Sequence, residues 1–160
     1  MDKKTSVKIG GIMQSTDLTM IGVMSAPDRP GIASVVMDTL GRSAVNVEFV
    51  VQLIDLNDLS NVVFCVKETS AELALTQLEQ VRQQLGAQRV TVTREVAVLS
   101  IFGPDFRQRP GVAGAMFSSL ASAGINILAI STSISTISCV IAADRLAAAV
   151  HAIRENFDLP

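Results

Sequence analysis

The chain has 160 residues but no tryptophan, no tyrosine, one histidine and two cysteines, and 15 acidic against 13 basic side chains leave a net charge of −2. Each shortage excludes something. Without a basic surplus, and without Trp or Tyr to stack on bases, nucleic acid is not an expected partner and an RNA-binding role is opposed. Apolar residues make up 49% of the chain, but Gly, Pro and charges break their runs well short of the roughly 20 residues needed to cross a bilayer. No membrane partner is expected. The opening "MDKKTSVKIGG" has basic residues with no apolar stretch behind them, so no secretory signal is read and a cytoplasmic location is expected. Cys65 and Cys139 sit in the apolar runs "VVFCV" and "ISCVI", outside any CxxC or Cys/His spacing. Reduced, inert core thiols are the expectation.

The inventory for catalysis is equally thin. His151 lies on a helical stretch between Val150 and Ile153 with no Cys, His or carboxylate pair at ligand spacing, and reads as a solvated helix residue. No GxxxxGK[ST] loop occurs. Asp55 and Asp58 fall in a predicted hairpin turn, where Asp bonds its own backbone. No catalytic residue, metal site or cofactor is expected, and the chain by itself does not read as an enzyme.

What the chain does contain is a repeat. "RPGIASVVMDTLGRSAVNV" at residues 29–47 returns as "RPGVAGAMFSSLASAGINI" at residues 109–127, so that Arg29, Pro30, Gly31, Ala33, Leu40 and Asn46 match Arg109, Pro110, Gly111, Ala113, Leu120 and Asn126 at a spacing of 80. Downstream the spacing drops to 74, which sets Cys65 against Cys139, and then to 72 for the last helices. The steps fall at turns, where insertions are cheapest.

Within one copy, "LTMIGVM" (residues 18–24) has strand length and ends in "SAPDRPG". Ile32, Val36 and Leu40 at helical spacing follow Pro30. "VNVEFVVQLI" and "SNVVFCV" read as strands around the turn "DLND". A helix with the seam Ala74, Leu78, Val81 and Leu85 has a Thr69/Glu72 capping-box pattern in front and Gly86 as its stop. "RVTVTR" closes the unit. The order β-α-β-β-α-β predicts an α+β fold of two ferredoxin-like units, each a four-stranded antiparallel sheet with two helices on one face. The second copy runs through "VAVLSIF", "INILAIS" and "TISCVIA" to a helix with Leu146, Val150, Ile153 and Phe157, and shows no closing strand. An open apolar sheet edge is a liability. The unassigned "SVKIGGIM", residues 6–13, is expected to fill it, giving a first domain at 14–95 and a second at 6–13 plus 96–160.

Where the copies agree, a ligand site is one reading. Both loops deliver a helix N-terminus suited to an anion, and Asn46 or Asn126 at the next strand offers donor and acceptor together. An amino acid could be held by its carboxylate and ammonium. Ordinary turn chemistry explains the same residues, and both readings stand at this point.

The stretches "APDRPGIASVVMDTL…VNVEFVVQ" and "SIFGPDFRQRPGVAGAMFSSLASAGINILAISTS" resemble the paired ACT domains of the regulatory half of aspartate kinase, over nearly the whole chain from "KIGGIM" to "ENFDL". A chain of this length resembles its free-standing β subunit or a fragment cut at the domain boundary. The resemblance implies allosteric feedback by lysine, threonine or both, held at interfaces between ACT domains of two chains. The matching positions are Ser25, Asp28, Gly31, Ile32, Ala33, Asn46, Val47, Glu48 and Gln52 in the first copy. In the second they are Gly111, Val112, Ala113, Asn126, Ile127, Ser131, Thr132 and Ser133.

Three departures qualify the match. Ile134 and Thr136 stand where the family has a glutamate and a basic residue, Leu53 follows Gln52 where the family commonly has Asn, and Ala44 stands where the second copy has Gly124. The first two remove polar partners for an effector, and the third opposes a left-handed glycine cap at the helix end. Two functions are therefore expected in competition: an amino-acid sensor acting on a kinase catalytic subunit, or a degenerate pair serving for dimerisation or docking without a ligand. High apolar content on strands such as "FVVQLI" and "ILAIS" predicts a homodimer through the ACT domains.

Overall fold

A computed structural model describes residues 6–104 and 106–160. In chain order they form β1 (Val7–Lys8), β2 (Gly11–Pro27), α1 (Ile32–Arg42), β3 (Phe49–Ile54), β4 (Leu59–Lys67), α2 (Glu68–Leu85), β5 (Arg89–Phe102), α3 (Val112–Ser122), β6 (Ala129–Thr132), β7 (Thr136–Ala142), α4 (Leu146–Asn156) and β8 (Phe157–Asp158). Single 3-10 turns, Phe106–Gln108 and Ala143–Arg145, precede α3 and α4. The chain divides into two units: Asp17–Val96, the first-repeat unit, and the residues up to Thr16 with Ala97–Pro160, the second-repeat unit. The class is α+β with a ferredoxin-like arrangement in each.

In the first-repeat unit the strand order is β3-β4-β2-β5, and β4 pairs antiparallel with both β2 and β3. Alternation decides which residues face the helices. Ile21, Val23, Val62, Phe64 and Val66 pack with Ile32, Val36 and Leu40 of α1 and with Ala74, Leu78, Val81 and Leu85 of α2. Apolar positions at i, i+4 and i+8 along α1 and at i, i+4, i+7 and i+11 along α2 make that packing possible. Gly86, with φ 68, ends α2, and the Ala87 N–H reaches back to the Arg82 carbonyl.

In the second-repeat unit β5, β7 and β6 follow one another, with β2 on the far side of β5. Leu99, Ile101, Ile137, Cys139 and Ile141 pack with Val112, Met116 and Leu120 of α3 and Ile153 of α4.

Several expectations from the sequence are corrected. The segment 6–13 is not one strand: Val7 and Lys8 pair parallel with Phe157 and Asp158, a short strand after α4 that the sequence did not announce, and the chain resumes at Gly11 as β2. Glycine suits the start of β2, because a Cβ at Gly11 would lie 2.8 Å from the Phe102 ring. The runs read as separate strands near residues 13 and 95 join their neighbours, making β2 17 residues and β5 14 residues long. Asp17 and Glu95, with φ 57 and 55, take left-handed kinks inside these strands. The capping box is absent: α2 starts at Glu68 with Lys67 as its N-cap and no side-chain cap. Glu72 instead ion-pairs with Arg94, which also holds Glu68. Glu68 accepts a hydrogen bond from the buried Thr19 hydroxyl, so this end of the helix is fastened to the sheet.

The spacing of 74 is also wrong by one. The core-facing sets Val62, Phe64, Val66 and Ile137, Cys139, Ile141 match at 75, so Cys139 is the counterpart of Phe64 and Val140 that of Cys65. The register agrees, since Phe49 pairs with Cys65 and Ala129 with Val140. A slip of one residue exchanges the two faces of a strand.

Ala44 takes the left-handed conformation despite its Cβ, with φ 55 against 70 at Gly124. The hydrogen bonds coincide: the Val45 N–H reaches the Leu40 carbonyl and the Ile125 N–H the Leu120 carbonyl, both at 2.9 Å. An L side chain in that region costs roughly 1–2 kcal/mol, partly offset by the greater unfolded-state freedom of glycine. Ala44→Gly is therefore expected to stabilise the chain by about 0.5–1 kcal/mol in urea unfolding. A destabilised variant would show that the cap is not strained.

Candidate functional site

The duplicated loops are built alike. Gly31 and Gly111, with φ 99 and 93, serve as N-caps of α1 and α3 in a backbone region that favours glycine. Their carbonyls accept the first helical bonds, from Val35 at 3.0 Å and Ala115 at 2.9 Å. Pro30 and Pro110 stand just outside the helices.

In the first-repeat unit the loop hangs from a polar cluster that sequence reasoning only partly found. The pairing of β2 with β4 is irregular between Val23 and Ala26, and Ser25 sits there with φ 58. Its N–H donates to Asn61 Oδ1 at 3.0 Å. Asn61, 7% exposed, donates through Nδ2 to Asp55 Oδ2 at 3.3 Å and to the Leu59 carbonyl at 3.2 Å. Asp55 Oδ1 accepts from the N–H groups of Asn57 and Leu59. The Asn57 N–H does most to hold the Asp55 carboxyl below its ordinary range; burial opposes it, and the Asn61 amide and the Leu59 N–H add to the lowering. Next door, Gln52 Nε2 donates to Ser60 Oγ at 2.7 Å.

Of the nine first-copy positions, Ser25 and Gln52 are thus tied to the adjacent β4 residues Asn61 and Ser60. Asp28, Gly31 and Asn46 are exposed and Ala33 is half-buried. Ile32 lies in the core, and Val47 packs against it. Glu48 is engaged with Lys67 at 3.4 Å, apart from the Ser25–Asn61 cluster.

The second-repeat unit carries a cavity of about 270 Å³. Five expected residues line it: Gly111, Val112, Ala113, Thr132 and Ser133. Asn126, Ile127 and Ser131 do not. Asn126 is exposed between α3 and β6, Ile127 packs on the core, and Ser131 pairs with Ser138 across the hairpin. The remaining walls are Phe106, Arg107, Arg109, Ile134 and Ile137. Phe106 and Arg107 come from a three-residue excess, "FRQ", between Pro104 and Arg109 compared with Pro27 and Arg29. That length difference was the available signal, and it went unused. The Phe106 ring is seated over Gly103, where an added Cβ would lie 2.7 Å from the ring. Asp105 of the same loop lies outside the described residues.

The groups set aside in the sequence take quiet places. Burial pushes both thiols up to about 12, with the Glu48 charge adding to the effect at Cys65. His151 is exposed and meets Glu155 at 3.2 Å, one helical turn along. Among the described residues no group of three His, Cys, Asp or Glu side chains is placed to hold a metal, and no helix is long and apolar enough to cross a membrane.

Residues 99–157 match the ACT domain family. The regulatory subunit of aspartate kinase from Thermus thermophilus, in its ligand-free form, superposes with a TM-score of 0.84 at 32% identity, over 94% of this chain and 99% of that one. Its counterpart from Thermus flavus gives 0.86 at 31% identity, with the same coverage. The chain belongs to the ACT-domain regulatory family of aspartate kinase. The aspartokinase of Thermus thermophilus is 34% identical over 161 aligned positions, covering 99% of this chain but 38% of that protein. The chain thus spans under two fifths of the curated relatives it matches, and its family is that of a regulatory unit rather than of an enzyme by itself. In the aspartate kinase regulatory fold of this chain, the duplicated loops, the Ser25–Asn61 cluster and the second-repeat cavity are the features from which a site can be built.

Proposed function

We propose that this chain is an amino-acid-sensing region of aspartate kinase that works in the cytoplasm, binds lysine or threonine at ACT-domain interfaces and passes feedback to a kinase catalytic part. Its ACT domains are residues 14–95 and residues 6–13 with 96–160, paired with those of a second copy. The observation that supports sensing is the second-repeat cavity, where the duplicated loop residues Gly111–Ala113 meet Thr132 and Ser133 beside two arginines, Arg107 and Arg109. A carboxylate suits such guanidinium forks, and hydroxyls suit an ammonium. At the spacing of 80 the first-copy counterparts are Gly31, Ile32, Ala33, Gln52 and Leu53, with Asp28 and Asn46 exposed nearby in sequence. Effector binding that differs between two kinase states would shift them by a coupling of about 1–3 kcal/mol.

Thermal unfolding of the full chain with each of the twenty amino acids tests the reading. An effector at about 100 times its dissociation constant stabilises by about 2.7 kcal/mol. If none of the twenty at millimolar concentration moves the transition, sensing by this chain is refuted.

A second reading, docking or dimerisation without a ligand, is favoured by Leu53 and Ile134, which are 56% and 60% exposed. Val50 and Ile54 add exposed apolar surface on the same edge strand, β3. Both readings predict a homodimer, and a concentration-independent monomer in sedimentation would refute that part.

A further inference from the structure

We infer that, among the cavities of the second-repeat unit, the one lined by Gly111–Ala113, Thr132 and Ser133 selects its ligand by charge: it takes a carboxylate-bearing ligand whose side chain is uncharged, and Arg107 and Ile134 set that specificity. The inference rests on the amino-acid-sensing reading and narrows it. The cavity, about 270 Å³, lies just below the usual range for drug-sized ligands and suits a small metabolite.

Its two arginines decide the first half of the specificity. In the first copy, Arg29 donates from Nη2 to the Gln84 carbonyl at 3.3 Å. Arg109 is its counterpart, and neither it nor Arg107 has a hydrogen-bond or ion-pair partner among the described residues. Arg107 has no counterpart in the first copy, because it belongs to the inserted 3-10 turn. Two exposed arginines lining one small cavity, neither neutralised by a described partner, attract a single carboxylate, which an arginine fork can hold through two oxygens.

The second half follows from the other wall. Ile134 and Ile137 stand beside the hydroxyl-bearing Thr132 and Ser133, with Phe106 and Val112 completing the apolar lining. Among the described lining residues there is no carboxylate to receive a side-chain ammonium. A ligand with a second cation would bring like charge toward the guanidinium groups and lose hydration against isoleucine. An uncharged side chain meets neither cost.

Calorimetric titration of the full chain with valine, isoleucine, leucine, threonine and lysine tests this. At least one uncharged amino acid is expected to bind about tenfold or more tightly than lysine. Arg107→Gln combined with Arg109→Gln is expected to weaken that binding at least about tenfold. Ile134→Glu, at an exposed position, is expected to narrow the gap by raising lysine affinity. Lysine binding as tightly as the best uncharged probe overturns the inference, as does an affinity untouched by the arginine substitutions. If binding persists in the arginine variant but is lost in Asp28→Ala, sensing survives and this assignment falls. If no probe binds at about 10 mM, where affinities weaker than about −3 kcal/mol begin, the assignment and the sensing reading fall together.

Discussion

Replacing Phe64 with alanine is expected to lower the unfolding free energy of the first-repeat unit by about 3–5 kcal/mol. Phe64 is fully buried and has the largest side chain among the fully buried residues. On β4 it lies in register with Ile21 on one side and Val50 on the other, and it packs in the core shared with α1 and α2. Truncation removes the transfer energy of the ring and leaves a cavity that two packed helices cannot fully close. Against a typical total of about 5–15 kcal/mol, that leaves the unit marginal. Urea unfolding followed by circular dichroism measures the loss, and a loss below about 1 kcal/mol would mean that the ring does not sit in the core. Cys139→Ala, at the matching position of the second-repeat unit, removes one sulfur from a site of the same kind and is expected to cost less.

That pair of positions also shows where reading from sequence stops. The β-α-β-β-α-β core order, the seam of α2 and the glycine stop at residue 86 were legible, because each depends on local periodicity or on a local backbone conformation. The seam read for the last helix was not, since Phe157 leaves α4 for β8 and Ala149, Ala152 and Ile153 are the buried residues of that helix. The match of Cys65 to Cys139 was also misread. Residues 62–66 are apolar on both alternating faces, so that stretch alone does not choose a spacing. In 136–141, however, Thr136 and Ser138 alternate with Ile137, Cys139 and Ile141, and matching that apolar face to Val62, Phe64 and Val66 gives 75, as do the pairing partners on β3 and β6. A shared cysteine was taken as the anchor, although identity at one residue carries less information than two-residue periodicity along a strand.

The site divides in the same way. Gly111–Ala113, Thr132 and Ser133, singled out by the repeat and the family resemblance, line the second-repeat cavity. Arg107 and Phe106 were missed, since attention to what the copies share hides what one copy has gained. Asn61 was missed for a different reason: its partners Ser25 and Asp55 lie 36 and 6 residues away in sequence, and only the β2–β4 pairing brings the three together. The turn role expected for Asp55 from local chemistry is present, as both its local N–H bonds show. Ala44 went the other way: a sound local preference for glycine was overridden by the helix and strand on either side of it.

Asn61→Ala is expected to cost about 2–3 kcal/mol, in the upper half of the range for leaving buried polar groups without partners. The Ser25 N–H loses its acceptor, while Asp55 Oδ2 and the Leu59 carbonyl each lose a donor. Ser25 holds its left-handed conformation at the irregular point of β2 with the help of that bond. Adding Ser25→Gly, which adopts φ 58 without a Cβ penalty, should therefore recover part of the loss, and the two changes should be non-additive as contacting residues are. Acid changes the outcome in a defined direction. Because the folded-state pKa of Asp55 lies below its unfolded value near 4, its stabilising contribution is full above that value and fades as pH falls through the folded one. Removing Asn61 returns that carboxyl part of the way toward its ordinary range, with the Asn57 N–H still in place. The difference between wild type and Asn61→Ala in chemical unfolding should then shrink as pH falls below about 4. A difference that stays constant over that fall would show that Asp55 and Asn61 do not act together.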